Sequence, residues 1–214
     1  MKTAVVVFPG SNCEHDVVTA IENLGGRADL VWHRRTDLSE FDGVILPGGF
    51  AHGDALRTGA IARFSPVMDA VIAMAADGKP VLGICNGFQI LCEAGLLPGA
   101  LIANRDLAFI CRFVDVEVVD TSSILTNRTE PGQVVTIPLN SYEGNWVDPS
   151  GTGRVVMRYL DDPNGSSGGA AAVSNEAGNV VGIMPHPERA TDRLLGSEGG
   201  SVLLDGFLSS LLPV

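Results

Sequence analysis

Cys85 has the local setting of a nucleophile. It follows Val81-Leu82-Gly83-Ile84, an apolar segment of strand character, and precedes Asn86-Gly87-Phe88-Gln89-Ile90-Leu91, a helical pattern, so that Gly83 and Gly87 stand two residues to either side. When a strand turns sharply into a helix around one residue, that residue takes a strained backbone conformation and points outward. Only very small neighbours fit at the flanking positions. The free N–H groups and positive dipole end of the new helix face the sulfur and favour thiolate over thiol.

A thiol nucleophile needs a base, and His186-Pro187-Glu188 offers one. Two residues apart in an extended segment, imidazole and carboxylate point to the same side, and Pro185 and Pro187 restrict the backbone that carries them. A carboxylate so held accepts the imidazole Nδ1–H and leaves Nε2 free to exchange a proton with sulfur. Alone, a His-Pro-Glu turn is an ordinary surface feature; beside a cysteine elbow it completes a set of nucleophile, base and orienter. Acyl transfer also calls for oxyanion donors. The backbone N–H of Asn86 at the helix start and that of Gly49 in the Pro47-Gly48-Gly49 turn are the candidates. Gln89, one turn after Cys85, leans back toward the cysteine as a substrate contact.

These residues require a parallel sheet to bring them together. Thr3 to Phe8, Ala28 to Trp32, Gly43 to Pro47 and the run ending at Cys85 read as short buried strands, with helical patterns over Val17 to Leu24 and Ile61 to Ala75. Strands alternating with helices imply crossovers and an open, mostly parallel, flavodoxin-like α/β sheet flanked by helices. Its ligand crevice lies at the carboxyl ends of the strands. Ser11 with Glu14 fits a capping box for the first helix, placing Cys13 and His15 in its first turn. Beyond Gly95 the alternation of Phe113 to Val119, Val134 to Ile137 and Val155 to Tyr159 adds mixed or antiparallel strands to the C-terminal half. A hairpin from Ala170 to Met184 delivers His186, and an apolar helix through Val202, Leu203, Leu204, Phe207, Leu208, Leu211 and Leu212 closes the chain. Asp161 to Gly169 has the composition of a linker but is too short to divide domains, so residues 1–214 read as one domain.

Composition narrows the partners. Hydrophobic residues make up 45% and charged residues 18% of the 214, which argues against disorder, and a net charge of −11 argues against nucleic acid or an anionic membrane. No apolar run approaches the ~20 residues of a membrane span, and the N-terminal run is too short for a signal peptide, so a cytoplasmic location is expected. Cys13, Cys85, Cys92 and Cys111 are scattered and read as reduced thiols. Cys13 and His15 lack a second ligand pair, so no metal site is expected. The sequence contains no Gly-x-x-x-x-Gly-Lys-[Ser/Thr] loop.

Gly83-Ile84-Cys85-Asn86-Gly87-Phe88-Gln89 with the distant His186-Pro187-Glu188 resembles the signature of class I (triad) glutamine amidotransferases, and Pro47-Gly48-Gly49 fits their oxyanion loop. The blocks Phe8 to Cys13, Gly48 to Ala60, Asn164-Gly165-Ser166 and Met184 to Arg189 narrow the likeness to the glutaminases of de novo purine synthesis. The resemblance implies Cys85, His186 and Glu188 as the triad, Gly49 and Asn86 as oxyanion donors, and Gln89 and Phe50 as contacts to L-glutamine. It further implies no cofactor on this chain. Ammonia would pass to a separate synthetase subunit that uses ATP and magnesium to convert formylglycinamide ribonucleotide to its amidine, with a small third protein bridging the two. Asn164-Gly165-Ser166 becomes a loop with a defined role. One position departs: Ser141-Tyr142-Glu143-Gly144 stands where many relatives carry His-x-Glu-Gly. Two other readings remain open, a glutaminase of another pathway and a scaffold subunit without activity.

Overall fold

A computed structural model describes residues 1–211; Leu212, expected on the stripe of the last helix, lies outside them. In chain order the strands are β1 (Thr3–Val7), β2 (Ala28–Trp32), β3 (Gly43–Leu46), β4 (Val81–Ile84), β5 (Ala100–Ile102), β6 (Ile110–Val118), β7 (Val134–Ser141), β8 (Asn145–Val147), β9 (Arg154–Tyr159), β10 (Ala170–Ser174) and β11 (Val180–Ile183). The helices are α1 (Glu14–Asn23), α2 (Val67–Ala76), α3 (Asn86–Glu93) and α4 (Ser201–Ser209).

Nine strands form one sheet in the order β2-β1-β3-β4-β11-β10-β9-β6-β7. The five from β2 to β11 are parallel and the remaining pairings antiparallel, as expected for a mostly parallel sheet extended by the C-terminal half. β1, β3, β4 and β11 are apolar on both faces because helices and loops cover them, whereas β6 alternates in burial from Phe113 to Val118 as a half-exposed strand does. Strand β4 lies between β3 and β11, with Leu46 opposite Gly83 and Ile183 opposite Ile84. That register puts the carboxyl ends of three strands side by side, and the loops leaving them meet over one crevice. Helix α3 packs on β3, β4 and β11, and Gly182 makes room for it: a Cβ there would come within 2.0 Å of the Phe88 ring.

Several local expectations are corrected. Ser11 does not cap α1. Its Oγ accepts from Phe8 N–H at 3.0 Å, Cys13 occupies the N-cap position, and no side chain caps the helix. The helical pattern from Ile61 is broken at Ser65-Pro66 into a short 3-10 turn (Ala62–Phe64) and α2, leaving Phe64 exposed instead of on an apolar stripe. His186 to Arg189 is not extended: Pro187–Arg189 forms a 3-10 turn. The segment around Asn164 is no flexible linker, since Asn164 is wholly buried and donates to Gly144 O at 2.7 Å. The two-stranded pair β5-β8 was not anticipated, both strands being only three residues long.

Candidate active site

Cys85 sits between β4 and α3 with φ +50° and ψ −104°, a strained left-handed backbone for a residue bearing a Cβ. The turn is possible because both neighbours lack side chains. A Cβ on Gly87 would lie 1.9 Å from the Leu46 carbonyl oxygen, and one on Gly83 would lie 2.6 Å from the Gly87 backbone. The thiol is 8% exposed and approaches Asn140 O at 3.7 Å.

From β11 comes His186, whose Nδ1 lies 2.7 Å from Glu188 Oε1, with both side chains buried. Burial opposes charge on the imidazole, but Glu188 and the sulfurs of Cys85 and Cys13 outweigh it and raise the His186 pKa well above its ordinary value. Among the described residues Nε2 is buried and makes no hydrogen bond, and the same is true of Glu188 Oε2.

Loops from β1 and β3 complete the wall. Cys13 and Gly49 line the same cavity of about 290 Å³ as Cys85, Gln89 and His186, and Phe50 stands half-exposed there. Among the described residues, neither Gly49 nor Asn86 N–H donates to a loop carbonyl or side chain, which leaves both available. The Asn86 side chain is fully engaged: Oδ1 accepts from Ala51 N–H at 3.1 Å and Nδ2 donates to Gln89 Oε1 at 2.9 Å. Gln89 Nε2 in turn donates to Glu143 O at 2.6 Å. The residues selected from sequence thus converge on one crevice.

Others were not singled out. Cys13 Sγ lies with a nitrogen of His186 and an oxygen of Glu188 inside a 4.8 Å cluster, and it accepts from Arg189 Nη2 at 3.1 Å. Arg189 is also held by Asp16 at 2.9 Å. Asp54, Asn140 and Glu143 line the cavity too. Nothing in the spacing of Cys13 connects it to His186, which follows β11, 173 residues later.

A thiol on a strained elbow, a buried imidazole–carboxylate pair and two free N–H groups suit acyl transfer from a small amide. The model of the CobB/CobQ-like glutamine amidotransferase domain matches residues 1–198. The chain belongs to this family. As a glutamine amidotransferase it is an enzyme, and its relatives agree over their full length. It is 52% identical to the phosphoribosylformylglycinamidine synthase subunit PurQ of Rubrobacter xylanophilus, covering 98% of both chains, and 50% identical to that of Trichormus variabilis, covering all of both. The structure of PurLQS from Thermotoga maritima contains a chain that superposes with a TM-score of 0.95 at 42% identity, covering 99% of each. A glutamine amidotransferase from Thermotoga maritima at 15% identity and TM-score 0.67, covering 99% of this chain and 97% of that one, shares the amidotransferase fold. No helix among the described residues is long and apolar enough to cross a membrane.

Proposed function

We propose that this glutamine amidotransferase is the glutaminase subunit of phosphoribosylformylglycinamidine synthase, acting in the cytoplasm with residues 1–214 as one amidotransferase domain. The observation that carries the chemistry is the meeting of Cys85, on its left-handed elbow, with the buried His186–Glu188 pair in one cavity. The pathway rests on the full-length likeness to subunits of that name.

The Cys85 thiolate adds to the side-chain carbonyl carbon of L-glutamine, and the developing oxyanion takes hydrogen bonds from Gly49 and Asn86 N–H. His186, already protonated, gives its proton to the nitrogen as the C–N bond breaks, so that ammonia leaves and a γ-glutamyl thioester remains. Water then attacks the thioester, His186 takes its proton, the C–S bond breaks, and glutamate departs with the thiolate restored. Glu188 keeps the imidazole in the required orientation throughout. Gln89 and Phe50 contact the substrate. Ammonia passes to the synthetase subunit, where ATP and magnesium drive amidation, and a small third subunit bridges the pair.

Co-purification of the chain with its synthetase, followed by glutaminase assay with and without formylglycinamide ribonucleotide, tests this reading. Glutamate release by the complex, lost in Cys85→Ala while free ammonia still supports amidation, is the expected result. Wild-type glutamate release by Cys85→Ala would sink the mechanism.

A further inference from the structure

Two carboxylates on the cavity have no cation partner among the described residues. Asp54 and Glu143 come from loops 89 residues apart, both half-buried, both on the cavity that holds Cys85. Among the described residues neither is in an ion pair, because the nearby cations are committed elsewhere: Arg57 to Glu93 at 2.6 Å, and Arg189 to Asp16 at 2.9 Å. Burial, and then the charge of Glu143, push the Asp54 carboxyl up to about 6.

The arrangement is built, not incidental to a loose loop. His52, Gly53 and Asp54 take consecutive left-handed conformations, with φ of +55°, +69° and +52°. For two residues with a Cβ that conformation is costly and persists only where the surroundings impose it. Asn86 supplies part of that constraint. Its Nδ2 donates to Gln89 Oε1 and reaches Asp54 Oδ1 at 3.5 Å, so a carboxylate oxygen and an amide oxygen with a lone pair to spare converge on one nitrogen. Two carboxylates on one cavity with no cation partner, one of them on an imposed left-handed turn, mark a place for a group that donates hydrogen bonds and carries positive charge.

We propose that Asp54, with Glu143 beside it, is the counter-ion for the α-ammonium group of glutamine and sets the preference for an amino-acid amide over a simple amide. This rests on the glutaminase reading given above. An ammonium group here offsets both the desolvation of Asp54 and its repulsion from Glu143. Asp54 touches the far end of the substrate and positions it; the reacting carboxamide remains with Cys85.

The test compares L-glutamine with glutaramate, its analogue without the α-amino group, using the complex of this chain with its synthetase. Asp54→Asn should raise KM for glutamine by roughly tenfold to a hundredfold with kcat changed less than about threefold, leave KM for glutaramate nearly unchanged, and so erase the discrimination. Asp54→Glu should recover part of it, and Glu143→Gln should give a smaller rise of the same kind. Wild-type KM and discrimination in Asp54→Asn, or an equal loss on both amides, would overturn the proposal. Labelling of wild-type Cys85 by diazo-oxonorleucine separates the two levels. If Cys85 is not labelled, the glutaminase mechanism itself falls; if it is labelled and Asp54→Asn still discriminates, only the ammonium site falls.

Discussion

His186 Nδ1 and Glu188 Oε1 lie 2.7 Å apart in a pocket that leaves the His186 side chain 2% and the Glu188 side chain 0% exposed. With water excluded, the carboxylate's charge acts on the ring at close to full strength, and the imidazolium persists above the pH at which a free histidine loses its proton. Replacing Glu188 by Gln keeps the shape and removes the charge. The His186 ring should then titrate at lower pH, read from its Cε1–H resonance, and kcat for glutaminase should fall by roughly two to three orders of magnitude. An unmoved titration would mean that Glu188 does not govern the imidazole.

Two thiols face that ring, and labelling distinguishes them. Diazo-oxonorleucine should add its mass to the peptide carrying Cys85 in both wild type and Cys13→Ala, and to no peptide in Cys85→Ala. Cys13 sits on the N-cap of α1 without the strained elbow of Cys85, and its sulfur is occupied by Arg189 Nη2 and Asn12 Oδ1. Adduct found on Cys13 would move the nucleophile to the first loop.

The elbow depends on the close approach of α3 to β3. Gly87→Ala would drive a methyl group into the Leu46 carbonyl, a backbone atom that cannot step aside, and should cost about 3 kcal/mol or more in urea unfolding. Gly25→Ala provides the contrast. That glycine has φ +82° and open space around its Cβ position, so only backbone strain is felt, on the order of 1 kcal/mol. Equal costs would show that packing at the elbow is looser than the distances state.

Asp54 links stability to pH. Its folded-state pKa, about 6, is above the ordinary carboxylate value of 3.8, so between those values the folded chain binds more protons than the unfolded one. Stability from this group is therefore complete below about pH 3.8 and is lost as pH rises through 6. Asp54→Asn should raise Tm at pH 8, with a gain on the order of 1 kcal/mol after allowing for solvent screening of a half-exposed group, and should confer no gain at pH 3.5. Differential scanning calorimetry at the two values checks the sign.

How much of this was legible depended on how local each feature is. The cysteine between Gly83 and Gly87, the His-x-Glu pair and the buried strands are patterns of short period, because elbow geometry and strand burial act over a few residues. Element ends were less legible where side chains found other partners: Ser11 gave its hydroxyl to Phe8 N–H and not to α1, and Pro66 cut a helix that the apolar spacing alone would have continued. Asn164 looked like linker because composition does not record that its amide is spent on Gly144 O.

By itself, then, the sequence determined the parallel α/β core and singled out the candidate nucleophile, base and orienter, since each is written in residue types at fixed short spacing. Only the tertiary structure decided what surrounds them. Placing β4 between β3 and β11 brings segments from across the chain over one cavity. That is what sets Cys13 against His186, and Asp54 opposite Glu143, because contacts between residues so far apart arise from strand order, which no local period encodes.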